Sequence, residues 1–407
     1  MSPRGGEPIF SRWACQAGGL SVKSMENMRC GLTYSIADQN FAQTKSIGIY
    51  NLSVNLLRYL ADREEVARLT VLSNRTVERI LPRSGKTVVT RCDQAIRGRW
   101  SRLVWDQWGV YRAARQAGNE WLFLPKGFGS FLTKPPCRLA AYVHDTMHAF
   151  YRREYPGRLP VSDAWYFQRC LRATLREARV VFTNSDFTAS EIRHWAKQQG
   201  LPPPRLVTAG IGFERPAVAA PVKQEAVVVL AGKWPHKLTG LAVRQVERWQ
   251  VESGYRGRVE WVGQFPAGVV CPDRPGWQRH ERLSEDAFRD LVGRSKALLY
   301  FSAYEGFGMP PVEAVLAGTC PVYSDLPATR EAMEGVGMAF ANDSYDSFRR
   351  ALDSALAVTP AELSGWADRL LARHDWAQVA GRVIHGLSQA MESAGAGETR
   401  LAAHELD

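Results

Sequence analysis

Two glutamates on either side of a glycine-containing turn are the residues of this sequence best suited to chemistry. Glu305 and Glu313 flank the turn, and Gly306 and Gly308 within it allow a ligand to approach the backbone closely. The two prolines that follow suit the first turn of a helix, where a missing N–H group costs little. The unpaired amides and the dipole of such a helix favour an anion such as a phosphate. The sequence therefore predicts an anion-binding loop framed by two carboxylates.

The segments around this turn have the pattern of a parallel α/β sheet. The apolar run Ala297–Phe301 predicts a buried strand, and a helix is expected over Val312–Ala317 with Gly318 just beyond its end. A second apolar run, Cys320–Tyr323, returns the chain to the sheet. The turn then lies at the carboxyl end of a strand, where open α/β sheets bind ligands. The alternative is an ordinary βαβ turn with two exposed glutamates.

The turn and its helix resemble a known family. Residues 305–314 read EGFGMPPVEA, which matches the EGFGxPxxEA pattern of the retaining family-4 glycosyltransferases, group 1 enzymes of the GT-B fold. The resemblance implies a nucleotide-sugar site in which Glu313 holds the ribose hydroxyls and Glu305 faces the sugar–diphosphate end. It also implies that the backbone from Gly306 through Phe307 and Gly308 meets the sugar hydroxyls and phosphate.

A basic loop follows a second apolar strand, Ala226–Leu230. The family places a cation near a glycine here and a lysine some residues further on, and Gly232, Lys233 and Lys237 match these places. Two cations beside a diphosphate can stabilise the leaving group without a metal. The sequence departs from the family pattern at His236, where arginine is usual. The alternative for Lys233 is a solvated loop lysine.

A histidine follows the predicted strand Leu139–Val143. The resemblance implies that His144 lies beside the transferred sugar, and that Asp145 orients it or contributes to the acceptor region. An imidazole can donate a hydrogen bond or relay a proton near neutral pH. The alternative is a histidine that merely ends a strand.

Two further positions have supporting roles by resemblance. Gly48 stands where the family has a glycine loop near the diphosphate and acceptor, and Ser185 stands where it has a serine-centred turn. A helix-entry turn explains Gly48 about as well, and a helix cap is an alternative for Ser185.

Composition limits the class of protein. The 407 residues are 45% hydrophobic and 23% charged, and no apolar stretch is long enough for a spanning helix. The seven cysteines are scattered without a CxxC pair, which favours a reducing compartment and argues against zinc. We expect a cytoplasmic protein without a metal or other cofactor. The net charge of +11 favours anionic partners, among which an anionic membrane remains open.

Alternating strands and helices in two series predict an α/β protein with two Rossmann-like domains facing each other across a cleft. A proline- and alanine-rich stretch marks a linker. The expected segments are a disordered extension over 1–27, an acceptor-binding domain over 28–212, the linker over 213–224, a nucleotide-sugar domain over 225–376, a helix crossing back over 377–394 and a frayed tail over 395–407.

A basic, aromatic segment precedes the predicted strand Trp121–Leu124. Trp100, Val104, Trp108 and Tyr111 fall on one helical face among several arginines. We interpret the segment as a helix that packs this face on the core and keeps its charges in solvent. The alternative is a surface helix at a membrane interface.

The resemblance implies retaining transfer of a hexose, for which we favour a mannose-like sugar, from a nucleotide diphosphate to a glycan or lipid-linked glycan. This would serve polysaccharide biosynthesis. A GT-B epimerase or phosphorylase remains an alternative, as does a non-catalytic protein that binds glycan or nucleic acid. Nucleic acid is disfavoured because no basic-aromatic module for it is evident. The oligomeric state is left open.

Overall fold

The structure is a computed structural model that describes most of the chain. It describes residues 29–39, 47–81, 84–92, 96, 99–216 and 221–404. The extension expected over residues 1–27 lies outside these ranges, and so does part of the linker expected over 213–224.

Parallel strands form the sheet of the first domain, in the order β3-β2-β1-β4-β5-β6-β7. Its central strands are continuous apolar runs that are buried on both faces, as is typical of parallel sheets covered by helices. The strands are β1 Cys30–Ser35, β2 Val66–Ser73, β3 Thr87–Arg91, β4 Trp121–Leu124, β5 Arg138–Val143, β6 Ala178–Thr183 and β7 Leu206–Thr208.

The second domain repeats this topology. Its parallel strands follow the order β10-β9-β8-β11-β12-β13. In both sheets the order reverses beside the domain's first strand, and the crevice at such a reversal is where open α/β sheets bind ligands. The strands are β8 Ala226–Ala231, β9 Arg258–Gly263, β10 Trp277–His280, β11 Ala297–Tyr300, β12 Cys320–Ser324 and β13 Met338–Phe340.

Helices cover the faces of both sheets. In chain order they are α1 Ile47–Ala61, α2 Arg75–Glu78, α3 Arg99–Val104, α4 Val110–Ala117, α5 Met147–Glu154, α6 Val161–Glu177, α7 Asp186–Gln198, α8 Thr239–Ser253, α9 Glu285–Arg294, α10 Met309–Leu316, α11 Pro327–Met333, α12 Tyr345–Leu356, α13 Pro360–Arg373 and α14 Trp376–His404. The predicted architecture of two Rossmann-like domains is confirmed.

The terminal helix α14 packs against the first domain. Its residues Val379, Val383 and Leu387 are fully buried in an apolar cluster that runs through both domains. Trp376 stacks on Tyr59 of α1 with ring centroids 6.1 Å apart. The helix continues to His404, beyond the end expected at residue 394 and through most of the tail expected to fray.

The basic, aromatic segment contains a feature that the periodicity did not predict. A π-helical turn, Trp105–Gly109, separates α3 from α4 and changes the register of the side chains. Tyr111 is buried as expected, but Trp100, Val104 and Trp108 are exposed. The interpretation of this face as core is therefore wrong for those three residues.

Candidate functional site

A cleft of about 1110 Å³ lies between the two domains. Residues near the carboxyl ends of both sheets line it, including Gly48 and His144 from the first domain and Lys237, Glu305 and Glu313 from the second. The two reversals of strand order therefore face one shared cavity, in which a ligand can contact both domains.

The corner of the cleft between Gly306 and Met309 presents unused backbone donors. Within the described part of the chain, none of the four amides from residue 306 to 309 donates a hydrogen bond. Gly308 has φ +94° and precedes α10, so a left-handed residue turns the chain into the helix. The next two helical residues are prolines without N–H groups, so the amides at Gly308 and Met309 are the first that the helix end offers to a ligand. The arrangement suits an anion.

Lys237 supplies a positive charge in the same cleft. Its Nζ donates to Glu305 Oε1 at 2.7 Å and to the Tyr300 hydroxyl at 3.0 Å. The lysine side chain is 28% exposed, whereas the side chain of Glu305 is 12% exposed. The cation is thus fixed in position and still reachable by a ligand.

The carboxylate of Glu305 is held in its charged form. Burial would raise its pKa, but the adjacent Lys237 and the Tyr300 hydroxyl together lower the pKa of Glu305 below its usual value. Ser302 Oγ also donates to Oε1 of Glu305, at 2.7 Å. Glu305 therefore orients the lysine through a fixed ion pair.

Glu313 lies one helical turn into α10 and is exposed to the cleft. Loss of solvent around its carboxylate raises the pKa of Glu313, and the negative charge of Glu285 raises it further. The positive charge of Arg289 opposes both effects. Its carboxylate can accept hydrogen bonds from a ligand that carries hydroxyl groups.

His144 is a neutral hydrogen-bonding group in this structure. Burial lowers the pKa of His144 to about 4. Its Nε2 lies 2.7 Å from the carbonyl oxygen of Pro125, and because a carbonyl only accepts, Nε2 carries the proton. The remaining nitrogen, Nδ1, is then an acceptor. The role of this imidazole beside a sugar remains a prediction.

Asp145 serves the start of α5. Its Oδ1 accepts a hydrogen bond from the Met147 amide at 2.9 Å. Among the described contacts no hydrogen bond joins Asp145 to the His144 ring, so the expected orienting role is not observed. Burial raises the pKa of Asp145, as does the nearby Glu305. Asp145 nevertheless lines the cleft beside Glu305.

Ser185 fastens the two domains together. It is fully buried, caps α7 through the Thr188 amide, and donates its hydroxyl to the carbonyl oxygen of Gly306 at 2.6 Å. Thr188 donates to the same oxygen at 3.0 Å. Ser185 therefore positions the Gly306 corner from behind and does not line the cleft.

The remaining predicted residues fall into two groups. Phe307 lines the cleft and stacks against Phe213, and Gly48 lines it next to Met309.

Gly232 and Lys233 are not among the lining residues. A side chain at 232 would overlap the stem of Lys237, so Gly232 makes room for that lysine. Lys233 is exposed outside the cleft, which favours the alternative of a solvated loop lysine.

Sequence reasoning missed several lining residues. These are Asn51, Asn55, Asn184, Arg282, Arg289 and Tyr300. Asn184 could have been found, because it precedes the singled-out Ser185 at the end of a strand. The sequence did not indicate that Arg282 and Arg289 line a cleft, since isolated arginines around a helix start are usually solvated.

Known proteins share part of this sequence and its fold. Residues 278–363, which include the Gly306 corner and Glu313, match the family model described as Glycosyl transferases group 1. The chain is 25% identical over 162 residues to the O-antigen chain mannosyltransferase RfbU of Salmonella typhimurium, over 38% of this chain and 44% of that protein. It is 32% identical over 109 residues to the GDP-mannose:cellobiosyl-diphosphopolyprenol alpha-mannosyltransferase of Xanthomonas oryzae, over 25% of this chain and 28% of that protein.

These matches span less than two thirds of each relative. Structural similarity covers more of the chain than sequence similarity does. Sucrose-phosphate synthase from Thermosynechococcus elongatus superposes with a TM-score of 0.63 over 90% of this chain and 100% of that one, at 14% identity. The chain thus has the GT-B fold, and one segment of its second domain matches the group 1 glycosyltransferase model.

Proposed function

We propose that this protein is a retaining glycosyltransferase. It moves a hexose, favoured to be mannose-like, from a nucleotide-diphosphate sugar to a glycan or lipid-linked glycan. The observation that carries the proposal is the convergence on one cleft of four unused amides, a fixed lysine and an exposed glutamate. The activities for which the two relatives are named support a mannosyl donor and a place in polysaccharide assembly.

The donor would occupy the second domain's side of the cleft. Its diphosphate accepts hydrogen bonds from the amides of the Gly306–Met309 corner, which have no acceptor within the described protein. It also accepts from Lys237, which adds a positive charge. The ribose hydroxyls donate to Glu313, whose side chain is exposed in the same cleft.

Transfer would proceed on one face of the sugar. The bond between the anomeric carbon and the diphosphate oxygen breaks while Lys237 and the corner amides stabilise the charge that develops on the departing phosphate. The same phosphate oxygen takes the proton of the acceptor hydroxyl as the new glycosidic bond forms. His144 Nδ1 accepts a hydrogen bond from a sugar hydroxyl, and Asp145 borders the acceptor side. No metal step is required in this scheme.

Calorimetric titration of the protein with GDP-mannose, UDP-glucose, ADP-glucose and dTDP-glucose tests the donor assignment. We expect one nucleotide sugar to bind, with Glu313→Ala and Lys237→Ala weakening it. Unchanged affinity in both variants would refute the site. Product analysis with and without a glycan acceptor separates transfer from epimerisation, which needs no acceptor, and from phosphorolysis, which needs inorganic phosphate.

A further inference from the structure

Six large apolar side chains form an exposed surface on the first domain, here called the aromatic patch. Trp100 and Val161 are 79% and 85% exposed, and the others are at least 47% exposed. The members are Trp100, Val104, Trp108, Leu132, Val161 and Trp165. Single exposed apolar residues are ordinary, but a contiguous group of them marks an interaction surface.

Three segments come together at the π-helical turn to form this surface. Gln107 in that turn accepts a hydrogen bond from the Phe131 amide at 3.0 Å and donates to the Tyr166 hydroxyl at 3.3 Å. The Phe131 ring packs edge-on against Trp165 at 5.5 Å. The three segments that carry Trp108, Leu132 and Trp165 therefore meet at this turn.

Three members of the patch lie close together in the sequence. Trp100 and Val104 belong to α3, Trp108 belongs to the π-helical turn, and Arg112 follows in α4. A buried Gln107 with five hydrogen-bonding partners fixes the turn that exposes Trp108. A satisfied polar network therefore holds the turn in the conformation that exposes Trp108.

Basic side chains border the aromatic patch. Arg112, Arg115 and Lys134 are exposed, and the guanidinium of Arg169 lies 5.4 Å from the centre of the Trp165 ring. Tryptophan rings at the level of lipid headgroups, with arginines beside them, are the usual composition of a surface that rests on an anionic membrane.

The position of the patch suits that partner. The loop carrying Leu132 begins at Pro125, whose carbonyl accepts the hydrogen bond from His144. Val161 and Trp165 open the helix that follows α5, and α5 itself begins three residues after His144. The segments that carry Leu132, Val161 and Trp165 therefore leave the first sheet at the edge that borders the cleft, where a bilayer can present a lipid-linked molecule to the site.

We propose that the aromatic patch docks this protein on an anionic lipid bilayer. Within the described ranges every helix is too short or too polar to cross a bilayer, so the contact is with one leaflet's surface. A second copy of the chain is a poorer occupant, because a symmetric contact would bring the arginines of both copies together. The proposal concerns an interaction surface and does not depend on the transfer reaction.

Flotation of the full chain with lipid vesicles tests this surface. Vesicles of phosphatidylcholine alone are compared with vesicles that also contain phosphatidylglycerol, at low and physiological salt. Val161→Asp and the double variant Trp100→Ala, Trp108→Ala remove apolar contact, and Arg112→Glu removes charge. Matched controls in the second domain are Val270→Asp, at a position 79% exposed, and Arg256→Glu.

We expect binding to the anionic vesicles only, with Arg112→Glu weakening it about fivefold or more, since one basic residue near such a surface contributes about that factor. The two apolar variants should abolish flotation, and both controls should float as the original protein does. Flotation that survives the patch variants, or no flotation at all, would overturn the proposal. So would sedimentation showing a dimer that Val161→Asp dissociates, because the patch would then be a self-interface.

Discussion

The carbonyl oxygen of His144 occupies the space where residue 306 would carry a Cβ atom. A Cβ built on Gly306 would lie 2.2 Å from that oxygen and 3.0 Å from the Cβ of Asp145. The glycine that opens the corner with the unused amides is therefore also one of the points where the two domains touch. This backbone contact fixes the position of one side of the cleft relative to the other.

Gly306→Ala should damage both stability and turnover. The new methyl group meets backbone, which cannot move aside as a side chain can, so we expect a loss of about 1–3 kcal/mol in the free energy of unfolding. Urea unfolding measures it. Gly365→Ala is the control: it lies in α13 with open space around it and should be neutral or stabilising by up to about 1 kcal/mol. Equal behaviour of the two variants would contradict the close contact.

Lys237→Met and Lys233→Met should differ strongly. The first removes the cation paired with Glu305, so we expect kcat for the proposed transfer to fall about 100-fold or more, as for loss of one donor that stabilises developing charge. The second changes an exposed lysine outside the cleft and should leave kcat within about twofold. Steady-state kinetics on both variants decides. A similar loss from Lys233→Met would restore the original expectation of two donor-binding lysines.

The affinity for the nucleotide sugar should fall as the solution becomes more acidic. The surroundings of Glu313 raise its pKa from 4.5 to about 7, and the charged carboxylate accepts hydrogen bonds from ribose hydroxyls more strongly than the protonated form. Below the raised pKa the group gains a proton and loses an acceptor, so binding weakens from pH 8 towards pH 6. Calorimetry across this range measures it. Glu313→Gln should bind more weakly and show a flatter dependence on pH; an unchanged slope would assign the titration to another group.

Glu331→Ala should loosen the contact between the domains. Its carboxylate, in α11 of the second domain, accepts from the amides of Asp186 and Phe187 at 2.7 and 3.0 Å, and so caps α7 of the first domain. Loss of such a cap costs about 1 kcal/mol. We expect a lower midpoint of thermal unfolding and faster hydrogen exchange at those two amides. Glu331→Gln keeps one acceptor and should retain part of the protection.

The sequence allowed prediction of the fold and of one half of the site. The motif around Glu305 and Glu313 lies on one continuous βαβ segment, so its geometry follows from local chain rules. Lys237 was predicted because it stands in the loop after an apolar strand, where the resembling family has a lysine. Contacts that join distant segments were not accessible in this way: nothing in the sequence indicates that Ser185 meets the carbonyl of Gly306.

The faces on which helical side chains lie could also not be predicted where the helix departs from the usual α-helical period. The π-helical turn adds a residue to one turn, and the ordinary repeat then assigns Trp108 and Tyr111 to one face, although one is exposed and the other buried. His144 shows a second limit. Its type suggested a proton relay, but the Pro125 carbonyl and its burial determine its protonation, and neither is visible from neighbouring residues.

Helix α14 has a consequence for how the protein is made. The first domain is synthesised before Trp376, yet α1, β6 and β7 pack against the helix that starts there. Until the ribosome has released that segment, the apolar surface beneath it stays uncovered, whereas most domains can close as soon as their own residues emerge. The nascent chain is therefore a natural client for chaperones that shield hydrophobic surface, and shortening α14 should send the protein into inclusion bodies.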